Sequence, residues 1–285
     1  MDSQNNETWK CKNFKEAALA SLKGRWKIPV LASLFSLGIW TVFVACFYPW
    51  KMVLSQDVQI GRFFLSITIL LVAGFTLFPS LIFAFLRLMQ KIHKTDEKVC
   101  FSDFLKELTY WKTGVRCALW QYLWFFLWYL LIALIFVIIV FVTVSFFVTV
   151  SLLNDSPAIL SVIMFFVYIG LIIALLNRYY SYMLNIYIAS EFPNIKARKS
   201  LPLSIKMTKG YKKRFFVLDL SFIGWYLLCC LTLGIGMFWY VPYYTQTVIK
   251  AYNFIKKDAL EKGIVAESDF TECSSEQIED KTQNS

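Results

Sequence analysis

Few residues in this chain have side chains that could do chemistry, and they form no recognisable catalytic pattern. The chain has a single histidine, His93, in a charged segment. One histidine without partners builds neither a histidine metal site nor a Ser-His-Asp triad. The seven cysteines show no paired metal-ligand spacing, and no dinucleotide-binding, Walker or His-Glu-x-x-His motif occurs. The sequence therefore predicts no enzymatic activity, no cofactor and no metal site.

One carboxylate is unusual because Asp219 lies inside an otherwise apolar segment. An ionisable residue at membrane depth is costly, and it is expected to be paired or functional. The partner that we expect is Arg178, since an arginine can hold a carboxylate through two parallel hydrogen bonds. Arg214 and Lys213, on the same predicted helix as Asp219, are the alternatives. Asp219 and Arg178 are thus the candidate binding pair, interpreted either as a fold-stabilising contact or as an acidic group facing a cavity open to the cytoplasm.

The elements that must position this pair are long apolar segments. Hydrophobic residues make up 58% of the chain and charged residues 17%, below the roughly 25% charged that is usual in soluble proteins. Apolar blocks of about 18 residues or more can cross a bilayer core of about 30 Å, so a soluble protein with an apolar core is the disfavoured alternative. We predict an all-α, polytopic membrane helix bundle with short interfacial helices. Its six spans are 29–48, 63–86, 130–150 (within a longer block from 117), 158–176, 215–233 and 237–255.

The basic residues predict the orientation of these spans. Of the 29 Lys and Arg residues, all but Lys51 and Arg62 fall in segments on the same side as the N-terminus. Cytoplasmic loops carry the excess of Lys and Arg, so both termini are expected in the cytoplasm. The predicted organisation is a basic cytoplasmic arm with an interfacial helix at 1–27, a six-span domain at 28–255 and a polar, disordered cytoplasmic tail at 256–285. This distribution accounts for the net charge of +10, and no nucleic-acid-binding module occurs.

The last two predicted spans are separated by two glycines. A single helix over 215–255 would be about 60 Å long, twice the hydrocarbon thickness of a bilayer. Gly234 and Gly236 permit the backbone angles of a tight turn, which predicts a hairpin of two spans. The alternative is a kinked or re-entrant helix, which would place the C-terminus outside.

Three cytoplasmic segments, 13–27, 101–111 and 201–215, combine apolar residues at helical spacing with Lys and Arg. The third is expected to be a short helix that starts at Pro202 and stops at Gly210. Amphipathic helices of this kind lie among lipid headgroups, and their basic residues attract anionic lipid. The expected partners are therefore membrane lipids with anionic headgroups. The alternative is that the three segments are linkers that only set the topology.

Several stretches resemble a known family. They are AALASLKGRWKIPVL near the N-terminus, VCFSDFLKEL, YYSYMLNIYIASEFPNI, and MTKGYKKRFFVLDLSFIGWYLLCCLTLGIGMFWYVPY toward the C-terminus. Together they resemble an uncharacterised bacterial family of integral membrane proteins, domain of unknown function 975. The motif residues are Gly24, Gly210, Gly224, Trp225, Gly234, Gly236 and Pro242. The resemblance implies a six-span protein of the bacterial cytoplasmic membrane, and it transfers no catalytic residue.

An internal similarity accompanies these motifs. The dipeptide Lys-Gly occurs at 23–24 and again at 209–210, each time before a span that leaves the cytoplasm, with another glycine at the same distance beyond, at Gly38 and Gly224. A parallel repeat and chance both explain it.

The expected function is that of a non-enzymatic integral membrane protein that acts on or with lipids or other membrane proteins. A small-solute or peptide transporter is the alternative, because glycine and proline within apolar helices often line transport sites. Spans with so few polar groups offer a solute little to bind, which favours the first expectation.

Overall fold

The structure is a computed structural model that describes residues 9–53, 60–95, 99–151 and 158–271. Throughout these ranges the chain is helical and contains no β-strand, which confirms the predicted all-α class. A short 3₁₀ turn, Leu108–Tyr110, joins the helix that ends at Glu107 to the helix that begins at Trp111. The helices are α1 (Cys11–Leu22), α2 (Lys27–Val53), α3 (Ile60–Lys94), α4 (Phe101–Glu107), α5 (Trp111–Ser151), α6 (Ala158–Tyr182), α7 (Asn185–Glu191), α8 (Ala197–Thr208), α9 (Lys212–Leu220), α10 (Ile223–Leu231), α11 (Met237–Glu261) and α12 (Ser268–Thr271).

Several of these helices are long and apolar enough to cross a membrane. Within the described ranges there are four such stretches: Gly74–Lys94, Phe101–Ser145, Phe165–Glu191 and Lys212–Leu231. In the second stretch, the rest of the chain buries none of the most apolar segment. A fifth stretch would be Cys11–Leu22 together with Lys27–Phe43, two helices that meet at a bend of 92°. These apolar helices are typical of an integral membrane protein.

The sixth predicted span, 237–255, is not among these stretches. It belongs to α11, which buries polar side chains such as Thr245, Gln246 and Thr247 against the rest of the protein. The hydropathy of the sequence did not distinguish a helix that faces lipid from one that faces protein. The expected count of six spans is therefore not reproduced in the described part of the chain.

Burial is concentrated toward one end of the helices. In α3, Phe75 and Phe78 are exposed, whereas the side chains from Leu81 to Ile92 are almost all buried. The core combines this half of α3 with α1, α7, α8 and α11. Phe83 and Tyr252 are among its largest fully buried side chains. The helices are thus held together at the end where the basic residues lie.

The three segments expected to be interfacial helices or linkers are part of this core. Ala18 and Leu22 of α1, Phe104 of α4 and Leu203 of α8 are buried. These buried residues contact protein, so the segments are more than linkers, whereas Leu19, Leu105 and Trp111 are exposed, and contact of these helices with lipid headgroups stays a prediction. The helix expected to start at Pro202 begins five residues earlier, at Ala197, and ends at Thr208. Proline lacks an N–H and removes one hydrogen bond, which the buried helix tolerates.

The C-terminal boundary also differs from the prediction. Helix α11 continues to Glu261, and the residues after it fold back onto the core. Val265 and Phe270 are buried, and the Phe270 ring lies 5.0 Å from that of Phe192. The part of the predicted disordered tail at 256–271 is therefore packed, because it carries a few apolar residues that the polar composition concealed. The segment 272–285 lies outside the described residues.

The repeated Lys-Gly dipeptide forms the same turn twice. Lys23 has φ −57° and ψ 122°, Lys209 has φ −61° and ψ 121°, and the glycines that follow have φ of 76° and 89°. The N–H after each glycine donates to the carbonyl three residues back, at 2.9 and 3.0 Å. These are type II turns, whose third residue needs the positive φ that Gly24 and Gly210 supply. A shared turn accounts for this part of the internal similarity.

The chain reverses between α10 and α11. The Trp225 and Tyr243 rings lie 5.6 Å apart, and farther from the turn the Tyr211 hydroxyl donates to Asp258 at 2.8 Å. These contacts show that the chain turns back on itself rather than continuing as one kinked helix, and the prediction that both arms span the membrane stays a prediction. Burial, together with the bonded Asp258 carboxylate, raises the pKa of Tyr211 to about 12, so the phenol remains a hydrogen-bond donor at neutral pH.

The turn itself is a Schellman motif. The N–H of Gly234 donates to the Cys229 carbonyl at 2.8 Å, and the N–H of Leu233 donates to Cys230 at 3.2 Å. Leu233 and Gly234 both have positive φ, 52° and 89°. Leu233 is thus a branched residue in the left-handed region, a feature that the sequence did not indicate. It is 94% exposed, so no packing offsets its backbone strain.

Gly236 has a different role from Gly234. Its φ is −58°, which any residue can adopt. A Cβ at this position would lie 3.1 Å from Cys229 Sγ and 3.0 Å from Thr232 Oγ1, which already accepts a hydrogen bond from the Gly236 N–H. Gly236 therefore permits a close approach of the two helices, whereas Gly234 provides the turn.

We predict opposite effects of two substitutions in this turn. Leu233→Gly should stabilise the protein by about 0.5–1 kcal/mol, because strain relief exceeds the added flexibility of the unfolded chain. Gly234→Leu should destabilise it by about 1–2 kcal/mol. Thermal unfolding midpoints of detergent-purified variants measure both effects.

Leu231→Gly is the matched control, since Leu231 is also highly exposed but lies within helix α10. It should destabilise the protein by about 1 kcal/mol. A midpoint for Leu233→Gly that falls as much as that of the control would show that Leu233 is not in the left-handed region.

Candidate functional site

Asp219 lies next to a break in its apolar helix. Helix α9 ends at Leu220 and α10 begins at Ile223, so Ser221 and Phe222 interrupt the span. The Lys15 amine, from α1, donates to the Ser221 carbonyl at 2.6 Å and lies 4.1 Å from the centre of the Phe222 ring. A cation at the end of α9 offsets the partial negative charge of its unpaired carbonyls. The break is therefore stabilised by a residue from the N-terminal helix.

The carboxyl group of Asp219 is half-buried and held by two tyrosines. Tyr244 on α11 donates to Oδ1 at 2.7 Å, and Tyr180 on α6 donates to Oδ2 at 2.9 Å. Each oxygen thus has a hydroxyl donor, which lowers the cost of placing the carboxyl group in an apolar segment. The contact joins α6, α9 and α11. This arrangement is that of a fold-stabilising contact, the first of the two interpretations of Asp219.

The predicted ion pair between Asp219 and Arg178 is wrong. Arg178 lies over the ring of Trp128 on α5, with the guanidinium carbon 3.7 Å from the ring centre. Arg178 and Tyr180 are two residues apart on one helix, so their side chains point about 200° apart: Tyr180 reaches Asp219, and Arg178 reaches Trp128. The alternatives are not realised either, since Arg214 lies over Tyr211 and Lys213 is exposed.

Arg178 instead lies near a second cation, Lys212, with which it interacts electrostatically. The Lys212 amine donates to the side-chain oxygen of Asn177, the residue before Arg178, at 2.8 Å. In the described ranges neither Arg178 nor Lys212 forms an ion pair with a carboxylate. We call Trp128, Asn177, Arg178 and Lys212 the Arg178–Lys212 site. It has two positive charges that no carboxylate among the described residues neutralises, and the sequence indicated only one of its members.

Two other polar clusters were not indicated by the sequence. Asn185 is fully buried; its amide donates to Gln121 at 2.9 Å and its oxygen accepts from Ser200 at 2.7 Å, which ties together α5, α7 and α8. Glu191 accepts hydrogen bonds from Tyr252 at 2.7 Å and from Lys256 at 3.0 Å. Each cluster joins residues far apart in the chain, which no local spacing could predict.

The motif residues lie at turns and along the hairpin and do not converge on one pocket. Gly24, Gly210 and Gly234 provide positive φ, and Gly236 provides close approach. In the remaining positions, Gly224 and Trp225 lie on the exposed side of α10 and Pro242 is buried in α11. Over the described residues, no group of three His, Cys, Asp or Glu side chains could hold a metal ion.

Comparison with known families identifies one match. Residues 9–259 match the family described as Protein of unknown function (DUF975). The chain belongs to this family. The DUF975 match runs from just before α1 to near the end of α11, so it includes the break at Ser221, the hairpin and both type II turns. Comparison with curated proteins gave no match, and comparison with solved structures gave none.

We predict that the Asp219 contacts can be separated by double-mutant cycles. Tyr244→Phe should cost about 1–3 kcal/mol, because it leaves a partly buried carboxyl oxygen without a donor. Asp219→Ala and Tyr244→Phe together should cost less than the sum of the two single losses, whereas Asp219→Ala and Arg178→Ala should be additive. Unfolding of the detergent-purified variants measures these differences. Coupling of Asp219 to Arg178, with none to Tyr244, would refute the assigned contacts.

Proposed function

We propose that this DUF975 protein is a non-enzymatic, multi-pass membrane protein that binds anionic lipid headgroups at the Arg178–Lys212 site. The observation that carries this proposal is the presence of two nearby cations, which no carboxylate in the described part of the chain neutralises, beside exposed apolar surface. Tyr179, next to Arg178, and Phe216, one helical turn beyond Lys212, are each nearly half exposed. A lipid at this point would place its acyl chains on apolar side chains and its headgroup beside the two charges.

The geometry of the site supports a headgroup ligand in particular. The face of Trp128 holds the Arg178 guanidinium in place, and Asn177 positions the Lys212 amine. A preorganised arginine can donate two parallel hydrogen bonds to a phosphate. Tryptophan and basic residues are enriched where helices leave the hydrocarbon region, which is where a headgroup lies. The non-enzymatic part of the proposal depends on the lack of a catalytic motif in the sequence.

The orientation that we propose places this site and both termini on the cytoplasmic side of the cytoplasmic membrane. The distribution of Lys and Arg supports it, since all but Lys51 and Arg62 belong to segments on that side. Anionic lipids make the cytoplasmic leaflet negative and attract nearby basic residues. The same orientation would place the turn between α10 and α11 outside.

We expect the doubly substituted Arg178→Gln/Lys212→Gln protein to bind phosphatidylglycerol more weakly. At about 1 kcal/mol for each basic residue, the loss should be about 2 kcal/mol, or roughly thirtyfold in the dissociation constant. Native mass spectrometry of the detergent-solubilised protein, titrated with phosphatidylglycerol or phosphatidylcholine, measures the binding. The preference of the unsubstituted protein for phosphatidylglycerol should also decline as salt is added.

The matched control is Lys12→Gln/Lys257→Gln, which removes two charges from exposed side chains that each have a nearby carboxylate. It should bind phosphatidylglycerol like the unsubstituted protein. Equal losses in the two double variants would show that only net charge matters, and equal binding of both lipids by the unsubstituted protein would refute the headgroup site.

We expect cysteine labelling in cells to report the proposed orientation. In a background without the native cysteines, Ile235→Cys at the hairpin turn should react with a membrane-impermeant maleimide. Ile264→Cys, beyond α11, should react only after permeabilisation. Both isoleucines are exposed in the structure, so a difference in labelling would reflect the side of the membrane and not burial within the protein. Labelling of Ile264→Cys in intact cells would overturn the orientation.

A further inference from the structure

A cavity of about 190 Å³ lies at the end of α3, away from the Arg178–Lys212 site. Residues from α3 and the position just after it, from α4 and from α7 surround it, and all of them are charged or polar. They are Arg87, Gln90, Lys91, Lys94, Thr95, Glu107, Ser190 and Glu191. Its volume suits a small group rather than a whole lipid molecule.

Gln90 is the unusual member of this lining. Its side chain is 97% buried, and neither the amide nitrogen nor the amide oxygen has a hydrogen-bond partner. Most buried side-chain polar atoms in folded proteins are hydrogen-bonded, and an orphaned amide opposes folding. Gln90 lines the cavity but its amide atoms have almost no accessible surface, so a ligand would supply the missing partner once the amide turns toward it. Gln246 is also buried and unpartnered, but it is not part of this lining.

Among the described residues that line the cavity, three are cations (Arg87, Lys91 and Lys94) and two are carboxylates (Glu107 and Glu191), which leaves one positive charge in excess. Arg87 pairs with Glu107, Lys91 pairs with Asp103 at 3.0 Å, and Lys94 and Lys256 both pair with Glu191 at 3.0 Å. A ligand with a single negative charge would therefore neutralise the set.

The hydrogen-bonding capacity also favours an acceptor. Both oxygens of Glu191 are already occupied, since Oε1 accepts from the two lysines and Oε2 accepts from Tyr252. Lys91 and Lys94 each use one of three N–H donors in these pairs, and the Gln90 amide uses neither of its two. Unused donors thus outnumber unused acceptors at the cavity.

We propose that this cavity binds a singly charged oxyanion, with Gln90 and Lys94 donating to its oxygens. Two sources have this chemistry: the carboxylate of a small soluble acid, and the phosphodiester of a lipid headgroup. The site is independent of the headgroup site proposed above, since it shares no residue with it. Binding would provide partners for Gln90 and so stabilise the junction of α3 and α7.

The experiment uses detergent-purified full-length protein and three probes at constant ionic strength, with chloride as the reference. Sodium acetate represents a soluble carboxylate, dimethyl phosphate a soluble phosphodiester, and phosphatidylglycerol in mixed micelles a lipid phosphodiester. At least one probe should raise the thermal unfolding midpoint. A response to acetate identifies a soluble acid as the source, and a response to phosphatidylglycerol alone identifies the lipid.

Gln90→Leu and Lys94→Gln should each raise, by roughly tenfold or more, the probe concentration that is needed for the same shift of the unfolding midpoint. Gln246→Leu is the matched control, because it removes the other buried, unpartnered amide and should leave the response intact. Arg178→Gln/Lys212→Gln should also keep it, which separates this proposal from the headgroup site. No response to any probe, or equal responses in Gln90→Leu and Gln246→Leu, would overturn the proposal. If Gln90→Leu does not fold, Lys94→Gln alone decides, with Lys257→Gln as its control.

Discussion

The arrangement of the core depends on one buried carboxylate, Glu191. Its side chain is 6% exposed and has donors from two other helices, Lys94 on α3 and Tyr252 and Lys256 on α11. An unpaired carboxylate in this position would cost several kcal/mol, so Glu191 favours the relative position of α3, α7 and α11 in which its partners reach it. Arg87 strengthens the same junction, because it pairs with Glu107 of α4 and donates to the carbonyl of Ser190, next to Glu191. The other buried contacts of the core surround this ion-paired centre.

Polar contacts have a particular importance in a protein with so much exposed apolar surface. Helices surrounded by lipid gain little from the hydrophobic effect when they associate, so specificity must come from packing and hydrogen bonds. Here Asn185 joins α5, α7 and α8, and Ser204 donates to the Ser181 carbonyl at 2.8 Å. Asp219 does the same for α6, α9 and α11 through its two tyrosines. Buried polar groups therefore position the helices, while helix α5 presents its apolar side chains outward.

The sequence predicted local features well and contacts between distant segments poorly. Apolar block lengths predicted an all-α protein, and Gly234 marked the hairpin turn, because both depend on neighbouring residues. The partner of Asp219 could not be predicted, since the choice between Arg178 and Tyr180 depends on which face of α6 meets α9. The burial of α11 was missed for a similar reason. Hydropathy reports the composition of a helix and does not show whether lipid or protein surrounds it. The left-handed Leu233 was missed because no propensity favours leucine there.

The contact between α1 and α11 has a consequence for the order in which the protein is completed. Trp9, just before α1, lies with its ring 5.7 Å from that of Phe254 on α11, and α1 packs along the same helix. Because translation proceeds from the N-terminus, helices α1 to α10 emerge from the ribosome before α11 has been made. Until then Glu191 lacks Tyr252 and Lys256, and the apolar face of α1 lacks its main partner. The apolar helices can thus enter the bilayer one after another during translation. The core, however, is complete only when α11 has been made and packs against α1.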